Sequence, residues 1–198
     1  SNNPQTYADK LISWLTTAEL IIRLPTIESP RNDRERRNAK ERFLIGALRA
    51  ADARLLAQMM PPLRDQLAWY ICLRGHYFGR ALLRKDENDR SFIDIMPWDP
   101  LHAFWGVGEN GPLWACYKIH RNHDEILAEY GEDVDAESDE EAIEVYDYYD
   151  GTVNAILARD KWLKKPEPHG ADRCPVFMGV VGAMPAIQTR GLYKDLSR

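Results

Sequence analysis

The hydrophobic period of this chain changes once, near Gly79, and that change constrains its fold more than any other feature. Before it, apolar residues recur at three- and four-residue steps; after it, they alternate. Residues 4–23 are predicted to form a helix with Leu11, Trp14, Leu15, Ala18 and Ile22 on one face. Pro25 and Pro30 bracket a connector, Thr26–Ser29. A longer helix is expected from about Asp33 to Met59, with Phe43, Leu44, Ala47, Leu48, Ala51, Leu55 and Leu56 as its apolar stripe. Met59-Met60-Pro61-Pro62 ends it, because proline disfavours helical geometry in the residue before it. Pro62 suits the first turn of a third helix, which carries Leu63, Leu67, Tyr70, Ile71 and Arg74 and frays near Gly75–Gly79.

Strands follow. Arg80–Lys85 and Ser91–Met96 flank the polar turn Asp86-Glu87-Asn88-Asp89, and Pro97-Trp98-Asp99-Pro100 breaks the second strand. His102–Val107 and Leu113–His120 flank Gly108-Glu109-Asn110-Gly111, where Asn-Gly favours positive φ. Asp124–Tyr130 reads as a short helix capped by Gly131. Ile143–Tyr149 and Thr152–Leu157 flank Asp150-Gly151, Trp162 continues that sheet, Pro166–Asp172 is a loop, and Pro175–Val181 is an apolar strand. The tail from Pro185 has no complete element of its own. Helices first and antiparallel hairpins afterwards define an α+β fold. The expected organisation is a helical segment, 1–60, and an α+β domain, 61–198, which can be continuous with it.

No stretch approaches the roughly 18–20 uninterrupted apolar residues of a membrane span. No basic start followed by an apolar run marks a secretory leader. The net charge of −5 conceals an asymmetry: residues 1–100 carry 16 basic and 13 acidic side chains, and residues 101–198 carry 10 and 18. The +3 of the first half is small for a dedicated DNA-binding domain. Cys72, Cys116 and Cys174 are odd in number and widely spaced, which predicts free thiols in a reducing compartment.

Several constellations bear on chemistry. His120 and His123, with Asp124 and Glu125 beside them, supply metal-ligand types, but at a strand-to-helix junction rather than on one helical face. Asp94 and Asp99 flank a strand end, as nuclease carboxylates do; the plainer reading is a polar strand face and a turn. Gly106-Val107-Gly108 lacks the third glycine and the helix of a phosphate loop, and no Gly-x-Ser-x-Gly elbow occurs. A Cys–His pair has no spacing signature here. The expectation is no catalytic centre, metal or cofactor. The alternative is a metal-dependent nuclease or other hydrolase using Asp94, Asp99, His120 and His123.

The most suggestive basic feature is Arg31, Arg34, Arg36, Arg37, Lys40 and Arg42, at the start of the second helix. It suits phosphate or an acidic partner, or simply solvent. Basic residues at a helix start oppose the helix dipole, which favours a partner that neutralises them. Glu132, Asp133, Asp135, Glu137, Asp139, Glu140 and Glu141 form an acidic loop that another copy of the chain can offer for that purpose. A DNA-contacting module using the basic helix is the third reading. Trp98, Trp105, Trp114 and Trp162 are expected to fill the core or a subunit interface.

The order of the motifs adds a family resemblance. The run Trp69-Tyr70-Ile71-Cys72-Leu73-Arg74-Gly75-His76-Tyr77-Phe78-Gly79-Arg80-Ala81-Leu82-Leu83-Arg84 leads from a helix into a strand. Asp94-Ile95-Met96-Pro97-Trp98-Asp99-Pro100 follows, then a strand pair and Glu125-Ile126-Leu127-Ala128-Glu129-Tyr130-Gly131. Val145–Asp150, Thr152–Leu157, Pro168-His169-Gly170 and Cys174-Pro175-Val176-Phe177 complete it. Over roughly residues 30–198 this succession resembles the wing region of tailed-bacteriophage portal proteins. The resemblance implies a structural, non-enzymatic subunit of a ring, typically dodecameric, at one vertex of the viral head. Double-stranded DNA passes through the channel, and the capsid shell, the terminase and tail adaptors are partners. It also implies synthesis in the host cytoplasm, residence in the virion, and structural roles for Gly75, Gly79, Pro97 and Asp99. The sequence reaches Asp195-Leu196-Ser197-Arg198 without the family's stem, clip or crown, so a wing fragment is expected. No functional residue is carried over, because the wing has no catalytic motif to match.

Overall fold

The computed structural model describes residues 4–24, 32–86, 88–135 and 142–180. Among them lie four helices, α1 (Pro4–Thr17), α2 (Asn32–Ala57), α3 (Leu63–Arg74) and α4 (His123–Tyr130). Eight strands accompany them: β1 (His76–Lys85), β2 (Ser91–Trp98), β3 (Ala103–Gly108), β4 (Gly111–Arg121), β5 (Ile143–Tyr149), β6 (Val153–Ala158), β7 (Lys161–Pro168) and β8 (Val176–Val180). They form two antiparallel sheets, ordered β2-β1-β8 and β3-β4-β5-β6-β7, so the fold is α+β. No described helix is long and apolar enough to cross a membrane. The tail from Pro185 and the connector Pro25–Pro30 lie outside the described residues.

The chain divides into two compact units. The first comprises the described residues of 4–75 and 83–97 with Val180; the second comprises those of 76–82 and 98–179.

In the first unit α1 lies against α3 and is shorter than its pattern predicts. The hydroxyls of Thr16 and Thr17 turn back to the Ser13 carbonyl, at 3.2 and 2.7 Å, and compete with helix continuation. The chain then runs without regular secondary structure to Leu24, whose N–H donates to the buried Glu41 carboxylate at 2.9 Å. Pro62 is the N-cap of α3 rather than part of its first turn, and the Leu63 N–H is satisfied by Asp52 of α2 at 2.8 Å. Arg54 reaches from α2 to the Ile93 carbonyl of β2 at 2.9 Å and covers the Phe92 ring.

Helix α2 ends in a Schellman arrangement. The Met60 N–H donates to Leu55 O at 2.8 Å and the Met59 N–H to Leu56 O at 3.0 Å, which puts Met59 at φ 59°. A side chain at that φ is strained, and Met59 is 94% exposed, so it recovers little by packing. Met59→Gly is therefore expected to raise the unfolding free energy by about 1 kcal/mol. Urea denaturation checks it, and a loss of stability contradicts the capping geometry.

The change from helix to strand falls at Gly75, not Gly79. Gly75 caps α3 at φ 70°, and β1 begins at the next residue, so Gly79 is a strand residue. Pro97 does not break β2, which runs on to Trp98; as an edge strand it has a side where the missing N–H costs no ladder bond. Likewise β7, the other sheet's edge, includes Pro166 and Pro168. In the β3–β4 hairpin the loop is Glu109-Asn110, and the positive φ falls on Gly111 rather than Asn110. Asp150-Gly151 is part of a three-residue loop without a positive φ. The Asp150 carboxylate closes it by accepting the N–H groups of Thr152 and Val153, at 2.7 and 2.8 Å.

The second unit has its core on one face of the five-stranded sheet. Ile143 and Val145 of β5, Ala158 of β6 and Leu163 of β7 pack with Ile126 of α4 and Val134. Alternation along β5 then places Asp147 and Tyr149 on the same face. Trp98 stacks on Tyr117 at 5.0 Å, and Phe78 packs against Trp105 at 4.6 Å. Two of the four strand tryptophans thus serve the core as expected, whereas Trp114 and Trp162 are exposed.

Candidate functional site

The residues with hydrolytic chemistry are each engaged separately. Asp94 pairs with Arg84 at 3.0 Å. Asp99 caps the 3-10 turn Pro100–His102 by accepting the Leu101 N–H at 2.9 Å. His120 lies 3.8 Å from Glu144, and His123 lies 2.9 Å from Asp133. Among the described residues no group of three His, Cys, Asp or Glu side chains comes together to hold a metal. All three cysteines are free thiols. Burial, with Asp147 nearby, pushes the Cys116 thiol up to about 11, and burial also raises Cys174, the opposite of what an activated thiolate needs.

The acidic loop is anchored where it leaves α4. Asn122 and Glu125 form a capping box, and Gly131 ends the helix in a left-handed conformation. Glu132 then pairs with Lys161 at 2.8 Å, Lys161 donates to the Asp133 carbonyl at 2.8 Å, and Val134 is buried between exposed carboxylates. Asp135 is exposed; Glu137, Asp139, Glu140 and Glu141 lie outside the described residues.

His123 joins the carboxylates to the helix. Hydrogen bonds to Asp133 and then Asp124 hold its imidazole above the ordinary 6.5. The linkage follows from that sign: the contact is fully present below the unfolded imidazole value and is lost as pH rises through the raised folded value. An NMR titration is expected to place the His123 midpoint above 6.5, and Asp133→Asn to bring it down. A midpoint at or below 6.5 in the native chain contradicts the contact.

Of the basic cluster, Arg31 lies outside the described residues and Arg34 lies in the first turns of α2. Arg36, Lys40 and Arg42 are exposed on the same helix and Arg37 is half-buried. The face expected to be apolar is only partly covered: Ala51 and Leu55 are buried, while Phe43 and Leu56 are exposed. The stripe predicted for α1 is also only partly covered: Leu11 and Ile22 are half-buried, while Trp14, Leu15 and Ala18 are exposed. Trp14 is 67% exposed, with Tyr7 and Leu15 beside it, and the residues that lose exposure are Ala8, Leu11, Ile12 and Thr16.

The outer face of the five-stranded sheet is aromatic rather than polar. The Cys116–Tyr148 and Lys118–Tyr146 registers put these side chains opposite the core. Trp114 stacks on Tyr148 at 6.4 Å, and a Cβ at Gly106 would collide with the Trp114 indole, which seats it there. Lys118 pairs with Glu144 at 2.8 Å, which holds that carboxyl below its ordinary value. Phe104 and Trp162 extend the exposed apolar surface. An unusual density of uncovered apolar side chains marks an interaction surface.

The charge is divided as the units are. Among the described residues the first unit carries 14 Lys and Arg against 10 Asp and Glu, and the second carries 8 against 14, giving +4 and −6. No family model matches the chain, and no curated protein matches it.

Sequence reasoning missed the buried Arg80. It donates to the Tyr149 hydroxyl at 2.6 Å and lies 3.6 Å from Asp147. The available signal was Asp147 itself, a carboxylate two residues from Val145 and Tyr149 on a core face, which requires a cation or donors opposite.

Proposed function

We propose that the chain is a structural, non-enzymatic subunit of a tailed-bacteriophage portal ring, corresponding to its wing region. The observation that carries this reading is the charge division between the described residues of the two compact units, +4 and −6. Contact between unlike units of two copies is attractive, and contact between like units is repulsive. Such a contact is heterologous, so it propagates from copy to copy and closes into a ring when the rotation allows. The motif order from Trp69 to Phe177 supports the family reading. The separate engagement of Asp94, Asp99, His120 and His123 supports an architectural role over hydrolysis. In this role the subunit belongs to the virion and is made in the host cytoplasm. Its partners are further copies of itself, the capsid shell, and the DNA that passes through the channel. The terminase and tail adaptors are reached through parts of the subunit beyond the wing.

Sedimentation velocity tests the reading. One discrete high-mass species is expected at low ionic strength, dissociating as salt rises toward about 1 M, where the Debye length falls to roughly 3 Å. Magnesium-dependent DNA cleavage by a monomeric chain overturns the reading in favour of a nuclease. Salt-dependent DNA binding through the basic helix, without self-association, overturns it in favour of a DNA-contacting module.

A further inference from the structure

We propose that the outward face of α2, centred on Gly46, docks α4 of a second copy of this chain. The inference rests on the ring reading above and names its contact. Phe43, Gly46, Ala50 and Ala53 recur at three- and four-residue steps, the spacing of a helix-packing seam, and all four are exposed. Phe43 is 62% exposed. Among the described residues a Cβ at Gly46 would meet nothing within 4 Å, so packing against them does not call for glycine there. Glycine inside a helix costs about 1 kcal/mol relative to alanine, and what it provides is a notch for close approach from outside. Arg36, Lys40, Arg42 and Arg49 are exposed beside the seam.

Charge complementarity selects the occupant. From Asp124 to Asp135 the chain has six carboxylates and no Lys or Arg. Within that stretch α4 buries Ile126 beneath it and presents Leu127, 44% exposed, beside the exposed Ala128. An apolar knob ringed by carboxylates fits a notch flanked by guanidinium and ammonium groups. Two α2 faces, or two α4 faces, would oppose like charges. The contact joins different surfaces of two copies, so a pair leaves one α2 face and one α4 face free for further copies.

The experiment uses Gly46→Trp to fill the notch and Leu127→Lys to remove the knob, with sedimentation velocity as the readout. Both positions are solvent-accessible, and circular dichroism and thermal unfolding confirm that each variant folds. Each variant alone is expected to be monomeric. Their 1:1 mixture is expected to form dimers and nothing larger, because each supplies the surface the other lacks. Gly46→Ala is expected to weaken association less than Gly46→Trp does, because one methyl group fills only part of the notch. Arg49→Glu, a mild surface change, is expected to weaken association about tenfold. A native chain that associates while Gly46→Trp and Arg49→Glu leave it unchanged overturns this contact and spares the ring reading. Two monomeric variants whose mixture stays monomeric overturn α4 as the occupant. A native chain that is monomeric at every concentration overturns both.

Discussion

Trp98→Ala is expected to lower the unfolding free energy by about 3–5 kcal/mol, the cost of truncating a buried aromatic residue. Trp98 is 1% exposed and lies at the end of β2, where the chain passes into the second unit's core. Its indole is nearly parallel to the Tyr117 ring and stacked on it, at 3° and 5.0 Å, and packs at 6.0 Å against the fully buried Tyr149. Tyr117 is also tied to this segment, its hydroxyl accepting the Asp99 N–H at 3.2 Å. Truncation opens a cavity that neither ring can fill without leaving its strand register. Urea denaturation measures the effect, and Trp98→Phe should fall between the two. A loss below about 1 kcal/mol contradicts the placement of Trp98 at the centre of this core.

Arg80→Ala is expected to cost a similar amount, about 3–5 kcal/mol, by a different mechanism. The Arg80 guanidinium donates to the Tyr149 hydroxyl, covers the Tyr149 ring at 5.6 Å and lies 3.6 Å from Asp147. Removing it leaves the mostly buried Asp147 carboxylate without that cation. Asn154 continues to donate to Asp147 at 2.8 Å, but an amide replaces only part of the charge. Adding Asp147→Asn to Arg80→Ala should therefore recover part of the loss. A double-mutant cycle by chemical denaturation measures the coupling. Strict additivity of the two changes contradicts a direct interaction.

Local pattern carried much of the fold. The alternation Ile143–Val145 and the capping signals Asn122, Glu125 and Gly131 act through neighbours in sequence, and they form where they are read. The misplaced boundaries come from contacts the local pattern does not contain. Helix α1 stops at Thr17 because hydroxyls compete with its carbonyls, and Pro97 stays in β2 because that strand is an edge. The pairing of β8 in one sheet with β1, across nearly a hundred intervening residues, leaves no trace in spacing. The candidate surfaces were half legible. The stripes of α1 and α2 predict burial, but periodicity does not say whether the covering surface belongs to the same copy. Trp14 and Phe43, both exposed, are where that distinction appears. The charge asymmetry was visible as +3 and −8 by halves, and among the described residues it stands at +4 and −6 once the fold defines the units.

In the proposed role, unlike units of successive copies meet and close a ring. Negative-stain electron microscopy of the chain at low ionic strength tests it most directly. Closed rings with a single rotational symmetry, dispersing in high salt, are expected. Monomers, or dimers with two-fold symmetry, at every concentration would contradict it.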